Sequence, residues 1–173
     1  MDKSAQHSSQ TFGVRVEPAE LRFNAAHFIT FNDSCENLHG HNFHVRVELT
    51  GTNTADAFVV DFVWLSQVAA EICAGLHDRI LLPGHSAEVH LEVRDDQIEV
   101  RCHDRYFSLP ALNCVVLPLP NTTAEMLAAY LCDRLAGELA RAGAIHGLHE
   151  LEVAVEEADR QWGICRRPLD RQG

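Results

Sequence analysis

No stretch of this 173-residue sequence approaches the roughly 20 consecutive apolar residues of a membrane span. Basic clusters are also missing. Fourteen Lys and Arg stand against 25 Asp and Glu, giving a formal net charge of -11, and only Arg166-Arg167 is locally basic. Neutralising phosphates needs a basic patch, so a nucleic-acid-binding surface is excluded. The six cysteines, at 35, 73, 102, 114, 132 and 165, include no Cys-x-x-Cys pair. With no secretory signal they are expected as reduced thiols, mostly buried. Residues 1–12 are polar, lack an apolar signal-peptide core and are expected to form a disordered arm, so the expected location is cytoplasmic.

Apolar residues make up 46% of the chain and charged residues 23%, an ordinary globular composition for one domain, expected over 13–173. Chemistry concentrates between Phe23 and Leu49. His27, His39, His41, Cys35 and Glu36 fall within fifteen residues, more than a structural loop requires. On an extended strand alternate side chains share a face, so His39 and His41 point the same way and Phe43, Val45, Val47 and Leu49 continue that face. Leu21, Phe23, Ala25, His27 and Ile29 form a second alternating series, and two adjacent strands could present three imidazoles together. Three neutral imidazoles with an open fourth position are the catalytic form of a zinc site. The loop between the strands is expected to return Cys35 near that fourth position. A lone His-x-His pair is more often an incidental turn; the third histidine and the cysteine weigh towards a metal.

Elsewhere the pattern is coarser. Val14 and Val16 alternate, and the parity changes near Pro18, which suggests a turn or bulge. From Asp61, a plausible N-cap, Phe62, Leu65, Val68, Ala69, Ile72 and Leu76 recur at helical spacing. Val89-Leu91-Val93 and Ile98-Val100-Cys102 flank Asp95-Asp96 and read as a hairpin. A second helix starts after Thr122 and Thr123 and ends near Gly143. Leu151, Val153 and Val155 form a last strand that delivers Glu157 to their face. The order predicts an α+β fold with an antiparallel sheet and two helices on one face. His-Asp-Arg occurs at 77–79 and at 103–105, and the differing flanks make the repeat a coincidence.

Phe23-Asn24-Ala25-Ala26-His27, Cys35-x3-His39-Gly40-His41-Asn42-Phe43, Val60-Asp61-Phe62, Thr123-Ala124-Glu125 and Val153-x-Val155-x-Glu157 resemble, in this order, the 6-pyruvoyltetrahydropterin synthase and 6-carboxytetrahydropterin synthase family. The resemblance implies a tunnelling fold (T-fold), assembled as a homotrimer or homohexamer. It implies zinc on His27, His39 and His41, and a small-molecule pterin substrate, 7,8-dihydroneopterin triphosphate. Cys35 would match the general base, Glu157 the carboxylate that anchors the pterin, and Thr123 and Glu125 a substrate-binding motif. The implied product is 6-carboxy-5,6,7,8-tetrahydropterin for a queuosine-type pathway. The 6-pyruvoyl and 6-hydroxymethyl products are alternatives within the class, and a non-catalytic pterin- or metal-binding relative is the alternative outside it.

Three features depart from the family pattern or add to it. The family's Leu-Asp-His-Lys is replaced by Leu76-His77-Asp78-Arg79, reversing the pair that would tune the cysteine. Residues 83–120 resemble an inserted hairpin. Glu36, directly after Cys35, resembles members in which a glutamate supports cleavage of the side chain to 6-hydroxymethyl-7,8-dihydropterin.

Overall fold

Alternation of buried and exposed residues produces the two strands that carry the histidines. The computed structural model describes residues 10–169. Most of the arm expected over 1–12 lies outside the described residues, and Phe12 already belongs to the first strand. The strands are β1 (Phe12–Val16), β2 (Arg22–His27), β3 (Thr30–Phe31), β4 (Ser34–Cys35) and β5 (His39–Gly51). Helix α1 (Phe62–Ala74) follows, then β6 (Arg79–Pro83), β7 (Val89–Arg94), β8 (Gln97–Cys102), β9 (Arg105–Pro110) and β10 (Cys114–Leu117). Helix α2 (Ala124–Arg141) precedes β11 (Leu148–Ala158) and β12 (Gln161–Pro168).

The main sheet has seven strands in the order β10-β6-β2-β5-β11-β12, with β1 also paired to β5. It is mixed rather than wholly antiparallel: β6 runs parallel to both β2 and β10. Both helices cover the face built from Phe23, Phe43, Val45, Val47, Leu49, Leu151, Val153 and Val155. Asp61 caps α1, accepting from the N–H of Val63 at 2.7 Å and of Trp64 at 3.2 Å. Leu127, Leu131, Leu135 and Leu139 of α2 are at most 2% exposed. Each such leucine contributes about 1.5–3 kcal/mol of burial, so the helix is held by this stripe. Close approach fixes its start: a Cβ on Gly163 of β12 would lie 2.3 Å from the backbone of Ala124 and Glu125.

The expected hairpin is a three-stranded antiparallel sheet, β7-β8-β9. Its turns sit at Asp95 and His103, both at left-handed φ (50° and 51°), a conformation in which Asp and His are enriched. One face of this sheet forms a second core: Val89, Ile98, Val100, Cys102 and Leu109 pack with Phe28, Cys35 and Leu82. The added sheet therefore rests on the segment that leads from β2 into the histidine loop. Among the described residues, no helix is long and apolar enough to cross a membrane.

Candidate functional site

Strand register brings the three histidines together. His27 of β2 is the direct partner of His39 of β5, and Ala25 is the partner of His41, so the rings share a face. Ring centroids lie 4.7 Å apart for His27 and His39, 5.3 Å for His27 and His41, and 4.9 Å for His39 and His41. Glu157 joins them from β11, where the pairing with β12 is irregular between Glu156 and Ala158. Its Oε1 is 3.0 Å from Nε2 of His27 and 3.7 Å from Nε2 of His41. One ligand atom from each of the four residues fits within 4.8 Å of the others.

Backbone carbonyls set the tautomers. His27 Nδ1 lies 2.8 Å from the Thr122 carbonyl and His39 Nδ1 lies 2.8 Å from that of Asn37. A carbonyl only accepts, so each Nδ1 carries the proton and each Nε2 keeps a lone pair. His27 is fully buried and, among the described residues, its Nε2 has no hydrogen-bond partner, although a carboxylate oxygen stands 3.0 Å away. Two acceptors facing each other in a buried place repel unless a cation lies between them. Burial is the main reason His41 is held below the ordinary imidazole range, which favours the neutral ligand form. This donor set fits a divalent metal of the zinc type, whose bonds to nitrogen are about 2.0–2.1 Å.

The Thr122 carbonyl carries no sequence signal of its own and was not foreseen as a partner of His27. It is pinned in turn. The Thr122 hydroxyl donates to the Phe28 carbonyl at 2.7 Å, and the Asn121 side chain bridges Thr30 N–H and C=O at 3.3 and 2.9 Å. The N-cap of α2 is Thr123, whose hydroxyl accepts from Met126 N–H at 3.4 Å. Glu125 is exposed on the first helical turn and stands outside the group of four.

Cys35 does not join the group of four. Its side chain is 2% exposed and belongs to the second core with Phe28, Leu82, Val100 and Cys102. Burial, and then the adjacent Cys102 thiol, push it up to about 12. The reason for the misplacement is local. Left-handed Asn32 and Asp33 (φ 50° and 55°) close the tight β3–β4 turn, and in the extended β4 chain consecutive side chains alternate. Cys35 consequently turns inward, and Glu36 stays half exposed with Oε2 3.9 Å from His39 Nδ1.

The reversed pair is divided between two clefts. Asp78 adopts φ 57°, donates its N–H to the Asn24 carbonyl at 2.8 Å and accepts from the Asn24 side chain. It lines a cleft of about 410 Å³ with His41, Asn42, Arg79 and Asn113. His77 accepts from Asn24 N–H at 3.4 Å and lines a smaller cleft of about 290 Å³ with Arg22 and His44.

A two-helix layer on a curled mixed sheet, with three histidines on adjacent strands, defines the T-fold, and the structural comparisons agree. The Plasmodium vivax 6-pyruvoyltetrahydropterin synthase crystal structure superposes with a TM-score of 0.87 at 29% identity, covering 92% of this chain and 99% of that one. A 6-pyruvoyltetrahydropterin synthase from Caenorhabditis elegans shares the fold at TM-score 0.53 and 15% identity, covering 92% and 96%. The 6-pyruvoyl tetrahydropterin synthase family model matches residues 18–168, and the chain belongs to that family of tetrahydropterin synthases. A Methanocaldococcus jannaschii protein with the provisional name 6-carboxy-5,6,7,8-tetrahydropterin synthase is 34% identical over 153 residues, 88% of this chain and 93% of that one. The Haemophilus influenzae 6-carboxy-5,6,7,8-tetrahydropterin synthase is 29% identical over 122 residues, 67% and 78% of the two chains.

Proposed function

We propose that this chain binds one zinc ion on His27, His39 and His41 and converts 7,8-dihydroneopterin triphosphate to 6-carboxy-5,6,7,8-tetrahydropterin, as a lyase of a queuosine-type pathway. The observation that carries the reading is the buried, unpartnered Nε2 of His27, facing Glu157 within a cluster of three imidazoles. The relatives that carry the 6-carboxy name support the choice of product.

Zinc in this place supplies Lewis-acid polarisation of substrate hydroxyls, which makes protons on neighbouring carbons easier to remove. Glu36 is the general base: it is the half-exposed carboxylate beside His39, whereas the Cys35 thiol is sealed in the second core. A catalytic glutamate has a counterpart in a family relative, since the Plasmodium vivax synthase was also solved with a catalytic glutamate changed to alanine or to cysteine. Glu157 accepts the paired N–H donors of the pterin, for which a carboxylate is the natural bidentate acceptor. Thr123 and Glu125 complete the pterin-binding surface at the start of α2. Asp78 is the member of the reversed pair that orients groups on the His41 side, and His77 contributes through Asn24.

The working form is a cytoplasmic homotrimer or homohexamer. Among the described residues, the outer strands β10 and β12 offer unpaired edges that assembly would cover. A second product, 6-hydroxymethyl-7,8-dihydropterin, is favoured by one observation, the burial of Cys35 beside an accessible Glu36. Incubating the zinc-loaded protein with 7,8-dihydroneopterin triphosphate and weighing the pterin product decides between them. The 6-carboxy product upholds the first reading, the 6-hydroxymethyl product replaces it, and an unchanged substrate overturns both.

A further inference from the structure

Among the described residues the buried polar side chains are those of His27 and Thr122, each at 0% exposure, and a hydrogen bond joins the two residues. A side chain closed off to that degree does not reach a substrate, so Thr122 serves the site in some other way. A buried hydroxyl needs a partner, and this one donates to the Phe28 carbonyl at 2.7 Å, while the Thr122 carbonyl accepts from Nδ1 of His27 at 2.8 Å. One residue therefore holds both the ring of a metal-ligand candidate and the backbone that follows it.

Asn121 extends the hold further along the same segment. Its Oδ1 accepts from Thr30 N–H at 3.3 Å and from Thr122 N–H at 3.0 Å, and its amide donates to the Thr30 carbonyl at 2.9 Å. Donor and acceptor are used together, which fixes the orientation of the amide. Between these contacts the Ile29 carbonyl accepts from Glu36 N–H at 3.1 Å, and Thr30 is the strand partner of Cys35. His27 and Glu36 are thus both fastened to residues 27–30, and Asn121 and Thr122 fasten that segment to the start of α2. The start of α2 is itself firmly backed. Thr123 caps it, and β12 lies so close at Gly163 that a Cβ there would come within 2.3 Å of Ala124 and Glu125.

We propose that Asn121 and Thr122 are positioning residues, a clamp that aims the His27 ring at the metal and, through residues 27–30, sets the Glu36 carboxylate beside the same centre. The role of Glu36 as base rests on the function proposed above; the hold on His27 does not. A ligand imidazole keeps its tautomer and its direction through the bond made by its other nitrogen, and loss of such an outer partner costs about 10–100-fold in metal affinity. A base moved by about 1 Å costs on the order of 10²-fold in rate. The clamp therefore acts on two quantities, zinc affinity through His27 and kcat through Glu36.

Zinc affinity, read by competition with a chromophoric chelator, tests the clamp without any turnover. Thr122→Val keeps the shape and removes the hydroxyl, and should weaken zinc binding about 10–100-fold. Thr122→Ser restores the donor and should bind zinc as the wild type does. Asn121→Ala, at a half-buried position, should weaken zinc as well and serves if Thr122→Val misfolds. In the metal-free protein the Nδ1 proton of His27, followed by NMR, should exchange with water faster in both weakened variants. Cys132→Ala, which opens a small hole further along α2, should lower Tm and leave zinc affinity unchanged. In steady-state assays at saturating zinc, Asn121→Ala should lower kcat on the order of 10²-fold with KM little changed. Unaltered zinc affinity in Thr122→Val and Asn121→Ala, a Thr122→Ser no better than Thr122→Val, or an equal loss in Cys132→Ala overturns the clamp. A raised KM with unchanged kcat in Asn121→Ala overturns its hold on Glu36. Weakened zinc in these variants of a protein that makes no pterin product would overturn the proposed reaction and uphold the clamp on His27.

Discussion

Replacing Cys35 and Glu36 one at a time separates a buried anchor from a base. The Cys35 thiol is 2% exposed and pushed up to about 12 by burial and by Cys102. Burial therefore holds this thiol in its neutral form at pH 7, the wrong form for a base. Cys35→Ala removes one sulfur from a closed cluster with Phe28, Leu82 and Val100. Loss of transfer energy for one such group plus the small cavity comes to about 1–2 kcal/mol, a fall in Tm of about 2–8 °C. The variant should keep product formation within a few-fold of wild type and keep its zinc. Glu36→Gln should leave Tm nearly unchanged and lower kcat about 10²–10⁴-fold, the usual contribution of a general base. Product quantified by mass spectrometry, zinc by elemental analysis and Tm by calorimetry complete the comparison. An inactive Cys35→Ala with intact fold and zinc, beside an active Glu36→Gln, would refute the reasoning and return the thiol to the chemistry.

Three further outcomes are expected. His41→Ala should lose most of about one zinc per chain, because one of three imidazole ligands is gone, and full retention by elemental analysis would contradict the ligand set. Glu157→Gln should weaken pterin binding, measured by fluorescence titration, much more than Glu156→Gln, whose side chain faces His44 on the other side of the sheet; equal losses would mean the β11 register is wrong. Cys73 is buried, which alone raises its thiol from 9.0 to about 12. Its folded pKa lies above the unfolded one, so its contribution is whole below about pH 9 and is lost as pH rises towards 12. Stability should then fall by about 1.4 kcal/mol from this thiol by pH 10, and urea unfolding of Cys73→Ala should show a correspondingly flatter alkaline limb.

Local pattern alone determined much of this protein. Alternation in Phe23–His27 and His39–Leu49 specified two strands and the face their histidines share, because side chains on a strand repeat every two residues whatever the rest of the chain does. Helical spacing after Asp61 and after Thr123 placed the starts of α1 and α2 to within a residue or two. Among the strands that were not read, β6 and β12 lack that simple period: Arg79–Pro83 is an apolar run buried between two parallel neighbours, and Gln161–Pro168 is largely exposed at an edge. Parallel pairing joins segments distant in the chain and leaves no local mark.

Tertiary structure alone decided which groups reach the histidines. Glu157 arrives because β11 pairs along β5, and the Thr122 carbonyl arrives because the start of α2 is pinned to Phe28 and Thr30. Cys35 and Glu36 are neighbours in sequence with opposite fates. The apolar face of β7-β8-β9, more than fifty residues further along, gives the thiol a dry place to pack and leaves the carboxylate beside His39. Which of two adjacent side chains turns inward depends on where apolar surface is available, and that surface is built only when the distant sheet folds down upon the loop.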